Sequence, residues 1–351
     1  MKAGIICFTE HGVLLAEQLV NGLAAHGILC EAWLKKKEYR AALPVEVAVL
    51  EGTLSEWTAE QFRSKDLLIF IGSTGIAVRS IAPYVQSKKT DPAVIVVDEQ
   101  GRHAISLLSG HIGGANELTL LVAELTGAEP VITTATDLHG KFAVDAFAAK
   151  RNLYMDSMPA AKEIAAALVD NLKVGMWSAF PVTGVVPPEL DTEGEEPLGF
   201  SIDVQKTSPF EKTLHLVPKA VVLGIGCKRG TERAAIRELV EEVLEVNGIF
   251  RESICKIASI DLKKDETGIL ELAESYQVPF LTYTAEELKK AVCEDGFAES
   301  AFVKSVTGVG NICERSALLA AGVQKLLIPK TARNGVTVAA AVMDLTICME
   351  D

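Results

Sequence analysis

Basic residues are in deficit: 34 Lys and Arg face 47 Asp and Glu, for a formal net charge of −13 at pH 7. That balance argues against nucleic acid as the main partner, since phosphate neutralisation needs an excess of cations. It also gives no long-range pull on anionic substrates, so any anion site must be a local basic patch or a set of backbone donors. No uncharged apolar run is long enough to span a bilayer, so no membrane partner is expected. The apolar start, Met1-Lys2-Ala3-Gly4-Ile5-Ile6-Cys7-Phe8, meets Glu10 and His11 too early for a signal peptide. None of the seven cysteines (Cys7, Cys30, Cys227, Cys255, Cys293, Cys313, Cys348) forms Cys-x-x-Cys. An odd, scattered set reads as reduced, mostly buried thiols of a cytoplasmic protein. Ligand spacing for zinc or an iron–sulfur cluster is missing, and the six histidines show no His-Glu-x-x-His pattern, so no metal site is expected.

Aromatics are only 6%, within a hydrophobic content of 49%. Val, Ile, Leu and Ala in that proportion favour buried parallel strands covered by helices. The length of 351 residues suits two or three domains. Strands are expected at 3–8, 67–71 and 93–97, with helices at 13–25, 76–81 and 116–125. Residues 151–217 differ. Seven of the thirteen prolines fall within or just past them, together with an acidic loop at 189–196. One helix at 160–172 and short strands and loops are expected there. From 219, strands at 220–225, 255–260, 279–283, 325–328 and 336–343 alternate with helices at 232–246, 268–276, 285–294 and 311–321. Thr284 with Glu287 forms a capping box, and Thr231 is the expected cap of the helix after Gly230. The fold class is therefore α/β: two α/β units with mostly parallel sheets joined by a small middle module, divided as 1–148, 149–217 and 218–351.

Two glycine-bearing strand-to-helix turns draw attention. Gly72-Ser73-Thr74-Gly75 precedes Arg79, and Ser109-Gly110-His111-Ile112-Gly113-Gly114-Ala115-Asn116 precedes Glu117. Such turns aim amide donors and a positive helix end at an anionic ligand. Arg79 lies one turn into its helix, within reach of a carboxylate or phosphate; an ordinary tight turn with a surface arginine is the plain alternative. An unperturbed histidine has a pKa of about 6.5, which makes His111 a candidate for acid–base work. Glu117 would orient it or act as a base; equally, His111 caps a helix and Glu117 is solvated. Thr133-Thr134-Ala135-Thr136-Asp137 follows, with Lys141 as the nearby cation, and a hydroxyl cluster of this kind more often satisfies its own loop. Asp98 at a strand end is a further acid candidate, or a turn cap. In the last third, Gly224-Ile225-Gly226-Cys227-Lys228-Arg229-Gly230-Thr231 sets a glycine turn beside two cations. Neither it nor the segment at 305–311 completes a dinucleotide fingerprint. Cys227 and Cys313 lack a histidine partner and read as packing thiols.

The blocks Gly72-Ser73-Thr74-Gly75-Ile76-Ala77-Val78-Arg79, Asp91-Pro92-Ala93-Val94, the run from Ile105 to Glu117 containing Ser109-Gly110-His111, and Ile132-Thr133-Thr134-Ala135-Thr136-Asp137 resemble the N-terminal part of the CbiG family. Leu223-Gly224-Ile225-Gly226-Cys227-Lys228-Arg229-Gly230-Thr231, Ser259-Ile260-Asp261-Leu262-Lys263, and Lys330 with Gly335-Val336-Thr337-Val338-Ala339 resemble its C-terminal part. The likeness runs from about residue 50 to the end and is weakest at 151–217. It implies a hydrolase of anaerobic cobalamin biosynthesis that opens the ring A δ-lactone of cobalt-precorrin-5A and releases acetaldehyde. The implied partners are the cobalt-corrinoid intermediate and neighbouring pathway enzymes. No cofactor is implied, because cobalt belongs to the substrate. Under that resemblance His111, Asp98 and Glu117 are the catalytic candidates. Gly72, Ser73, Thr74, Gly75, Arg79, Ser109, Gly110, Gly113, Gly114, Asn116, Thr134, Thr136, Lys141, Lys228 and Arg229 are the substrate-binding candidates. A non-catalytic corrinoid carrier and a nucleotide- or S-adenosylmethionine-dependent enzyme are the rival readings. A cleft between the two α/β units is the expected site.

Overall fold

The computed structural model describes residues 1–36, 43–87, 90–110, 113–134, 141–194 and 196–350. The chain forms two compact units, Met1–Phe147 and Ala148–Asp351. It is an α/β protein with several mostly parallel sheets.

The first unit holds strands β1 (Lys2–Cys7), β2 (Leu29–Leu34), β3 (Val47–Val49), β4 (Leu67–Ile71), β5 (Ala93–Val97), β6 (His103–Leu108) and β7 (Glu129–Val131). Its helices are α1 (Glu10–Ala25), α2 (Leu54–Ser64), α3 (Thr74–Ile81) and α4 (Ala115–Thr126); α5 (Val144–Lys150) follows. One sheet runs β3-β2-β1-β4-β5-β6-β7, and every neighbouring pair is parallel except β5 with β6. The continuous apolar runs of β4 and β5 follow from burial on both faces. Ile69 and Ile95 pack under α1 and α4, while Phe70 and Val96 pack under α2 and α3. Helix α1 starts three residues earlier than its apolar spacing indicates, because Thr9 Oγ1 accepts the Gly12 amide at 3.1 Å and caps it. The strand order reverses between β1 and β4, where open α/β sheets place ligands outside the carboxyl ends.

In the second unit, β8 (Tyr154–Met155), α6 (Met158–Val169), β9 (Val174–Ser178), β10 (Val182–Thr183), β11 (Leu190–Asp191), β12 (Leu198–Ile202) and β13 (Lys212–Val217) come first. They include a sheet in the order β11-β9-β12-β13-β8, parallel except for β8. The proline-rich middle is thus a small sheet layer of its own, with Pro159 in the first turn of α6 and the other prolines in the connections. Then follow β14 (Val221–Cys227), α7 (Arg233–Val246), β15 (Ile254–Ile260), α8 (Thr267–Tyr276), β16 (Phe280–Tyr283), α9 (Ala285–Lys289), α10 (Ala301–Thr307), α11 (Cys313–Ala321), β17 (Ile328–Arg333), β18 (Val336–Val342) and β19 (Ile347–Cys348). Their sheet order is β16-β15-β14-β18-β17; β14, β15 and β16 are parallel, and the β17–β18 hairpin is antiparallel. β10 and β19 pair as a separate parallel ribbon.

Two local expectations are corrected. Gly224 and Gly226 lie inside β14 and not in a turn. A Cβ on Gly224 would fall 1.8 Å from the Cys313 carbonyl oxygen, so the glycine lets α11 lie directly on the strand. Thr231 does not cap α7. Its hydroxyl donates back to the Lys228 carbonyl at 2.7 Å, and Glu232 takes the cap position without a side-chain bond. The capping box of Thr284 and Glu287 is present at α9.

Candidate functional site

The turn Gly72-Ser73-Thr74-Gly75 sits at the carboxyl end of β4, beside the strand-order reversal. The Gly72 amide donates to the Val97 carbonyl at 2.8 Å, which docks the turn against the end of β5. Among the described residues no acceptor meets the amides of Ser73, Thr74 and Gly75. The Arg79 guanidinium folds back over Gly75, with a nitrogen 3.5 Å from where a Cβ would stand. No carboxylate among the described residues pairs with it. Open amides, a helix N-terminus and an unpaired guanidinium together suit a carboxylate.

Asp98 lies at the same sheet end, but its acceptor positions are taken. Its carboxylate accepts the Gln100 amide at 2.9 Å, the His103 amide at 2.6 Å and the His103 ring at 3.2 Å. Burial pushes its pKa up, yet the amides of His103, Gln100 and Arg102 outweigh that and hold it below the ordinary value. A carboxylate so engaged is a turn cap and a weak base. Its folded pKa lies below the unfolded one. Its stabilisation is therefore complete above about pH 4 and is lost as pH falls through the lowered folded value. We expect Asp98→Asn to reduce the loss of stability between pH 6 and pH 3, read from denaturant midpoints at the two pH values.

The second turn lies elsewhere. Because β6 runs antiparallel to β5, its carboxyl end, Leu108, neighbours Val94 near the start of β5. Ser109 to Asn116 therefore stands at the opposite end of the sheet from Gly72. The five residues of β5 separate the two ends by about 16 Å. His111 and Thr136 fall outside the described residues. Around them the framework is defined. Ser109 has a φ of +60°, an uncommon conformation for a non-glycine residue, and its Oγ donates to the Asp91 carbonyl at 3.0 Å. A Cβ on Gly113 would meet the Ser109 Cβ at 2.4 Å, so only glycine closes this turn. The amides of Ala115 and Asn116 donate to the Ser109 and Gly110 carbonyls, which leaves fewer helix-end donors for a ligand.

Asn116 is buried and joins three segments. The Ser106 hydroxyl donates to its Oδ1 at 2.6 Å, and its Nδ2 donates to Thr134 Oγ1 at 3.1 Å. The structure thus brings Ser109, Gly110, Gly113, Gly114, Asn116 and Thr134 together at one sheet end, with Glu117 exposed on the first turn of α4. It keeps Gly72, Ser73, Thr74, Gly75, Arg79 and Asp98 at the other. Lys141 is half-buried after the undescribed 135–140. Asn116→Ala strips both hydroxyls of a shared partner, and a loss of about 1–3 kcal/mol is expected in denaturant unfolding.

In the second unit, Lys228 and Arg229 follow β14 at the rim of a cavity of about 550 Å³. Gly226, Cys227, Ile260, Leu262, Ile312 and Val336 are among its lining residues, with Phe302, Val303 and Val306 of α10 on one side. Arg229 is engaged, pairing with Asp265 at 3.3 Å and donating to the Leu262 carbonyl at 3.0 Å. Lys263 pairs with the buried Glu266 at 2.8 Å. Lys228 and Lys330 have no carboxylate partner among the described residues. Burial pushes both cavity thiols up, Cys313 to about 11, so neither is a ready nucleophile. The sequence marks Lys228 and Arg229 as binding candidates but not Phe302 or Val306, which carry no periodic signal on a helix of seven residues. Among the described residues no group of three or more His, Cys, Asp or Glu converges as a metal site. None of their helices is long and apolar enough to cross a membrane.

Two family descriptions match: Cobalamin synthesis G N-terminal over residues 56–137, and Cobalamin synthesis G C-terminus over residues 221–341. The chain is 37% identical over 354 residues to the cobalt-precorrin-5A hydrolase of Salmonella typhimurium, covering 95% of each chain. It is 31% identical to the cobalt-precorrin-5A hydrolase of Priestia megaterium, covering 97% of this chain and 94% of that one. The crystal structure of CobE, a protein from the cobalamin (vitamin B12) biosynthetic pathway, is 30% identical over 36% of this chain and 92% of its own, with a TM-score of 0.33. With its two family segments flanking the small middle sheet and near-full-length relatives at this identity, the chain belongs to the CbiG family.

Proposed function

We propose that this chain is a cobalt-precorrin-5A hydrolase of anaerobic cobalamin biosynthesis, opening the ring A δ-lactone and releasing acetaldehyde to leave cobalt-precorrin-5B. The observation that carries the reading is the 37% identity to such a hydrolase over 95% of both chains. Water adds to the lactone carbonyl, and the tetrahedral oxyanion collapses with cleavage of the ring C–O bond. A carboxylate and an alcohol result. Loss of the alcohol proton then forms the aldehyde C=O as the neighbouring C–C bond breaks, and the electron pair stays on the macrocycle. The cobalt-bearing ring of the substrate is the electron sink, so the protein's part is to hold the substrate and move protons.

His111 is the base that takes the proton from water, with Glu117 beside it in sequence; Asp98 is committed to its own turn. Ser106, Asn116 and Thr134 are joined by hydrogen bonds in the described residues that flank His111 in sequence. Thr136 and Lys141, which follow Thr134 in sequence, are the further substrate-binding candidates. An oxyanion donor is worth about 3 kcal/mol. The open amides of Ser73, Thr74 and Gly75 with Arg79 in the first unit, and Lys228 in the second, are each suited to a carboxylate. A carrier would bind the same macrocycle and release it unchanged. Mass spectrometry of the corrinoid after a single turnover separates the two readings: the hydrolase leaves a product that has gained water and lost a two-carbon fragment.

A further inference from the structure

The unassigned cavity beside Lys228 has features that suit a large, flat, acid-bearing ligand. Its volume of about 550 Å³ lies within the usual 300–1,000 Å³ of small-molecule sites. Phe302 and Val306 are 77% and 63% exposed and stand one turn apart on α10, so they present one apolar strip. Phe302, Val303 and Val306 line the hollow together, so the exposed strip is continuous with it, as an apolar contact surface requires. Lys228 is positioned: its stem lies across Gly335, where a Cβ would meet the Lys228 Cε at 2.8 Å. Lys330 is held through its backbone, since its amide donates to the buried Glu314 carboxylate at 2.8 Å. The same carboxylate accepts from the Asn311 side chain, which also donates to the Ala298 carbonyl at 3.1 Å. The loop before α10, the start of α11 and β17 are thereby tied together around the hollow.

We infer that this cavity is a seat for the macrocycle: the ring face lies on Phe302 and Val306, and two peripheral carboxylates reach Lys228 and Lys330. Charge complementarity chooses the occupant. Two unpaired ammonium groups flanking an apolar floor suit an amphiphilic polycarboxylate, whereas a neutral apolar ligand leaves them unused. The inference rests on the hydrolase reading for the identity of the ligand and adds the place where it is held.

Titration of the full chain with cobyrinic acid, a stable cobalt corrinoid with free carboxylates, tests it through the corrinoid absorption band. Phe302→Ala and the double variant K228A/K330A change exposed or rim positions, and unchanged thermal midpoints verify their folds. We expect each to weaken binding by about tenfold or more. The salt dependence of binding should fall only in the double variant. With cobalt-precorrin-5A, KM should rise while kcat stays within about twofold, the pattern of lost uniform binding. Wild-type dissociation constants in both variants, or no corrinoid binding by the wild type, overturn the inference. Acetaldehyde release with KM unmoved by both variants leaves the hydrolase reading standing and this one refuted. Binding that weakens as stated without acetaldehyde release by the wild type does the reverse.

Discussion

His111→Ala slows acetaldehyde release from cobalt-precorrin-5A by about 100-fold or more, the usual contribution of a positioned acid–base group. The loss should fall on kcat, since under the proposed function the imidazole acts on water at the lactone and not on the peripheral carboxylates. Asp98→Asn is the informative companion. Three hydrogen bonds within its own turn occupy the Asp98 carboxylate, so its replacement should alter acid stability far more than rate. Equal losses of rate in both variants would instead join the two ends of the first sheet in one reaction. A wild-type rate in His111→Ala would make the imidazole part of the fold and move the base elsewhere.

Gly224→Ala carries the largest expected effect on stability. The added methyl would stand 1.8 Å from the Cys313 carbonyl oxygen and 2.9 Å from the Ala317 nitrogen, both backbone atoms of α11. No rotamer relieves such a contact, so the helix must lift from β14. Overpacking of this kind costs about 3 kcal/mol or more. For a unit of this size that lowers the thermal midpoint by roughly 6–12 °C. The start of α11 also helps wall the cavity beside Lys228, so under the inference above the variant should lose corrinoid binding along with stability. An unchanged midpoint by calorimetry would mean that the helix does not rest on the strand as described.

Much of this layout is legible from residues alone. The uninterrupted apolar runs of β4, β5 and β14 mark strands covered on both faces, and Gly127 ends α4 where the spacing stops. The strand at His103–Leu108 is absent from the expected elements, and with it the short connection of five residues containing Gly101 that makes it a hairpin partner of β5. That single reversal puts Ser109 and Gly110 at the far end of the sheet from Gly72. Glycines mislead in a related way. In a turn they free the backbone for a ligand, yet in β14 the same residue type admits a helix. The polar junction at Asn116 draws on β6, α4 and the segment after β7, so no local window contains it. Phe302 and Val306 are two apolar residues on a short helix, and only their exposure beside a hollow gives them meaning.

The most direct measurement combines the purified chain with cobalt-precorrin-5A in heavy-oxygen water while trapping volatile aldehyde. The account predicts one equivalent of acetaldehyde per corrinoid consumed, with a single solvent oxygen in the ring A carboxylate of the product. Tight binding with the corrinoid recovered intact and no aldehyde trapped would contradict it.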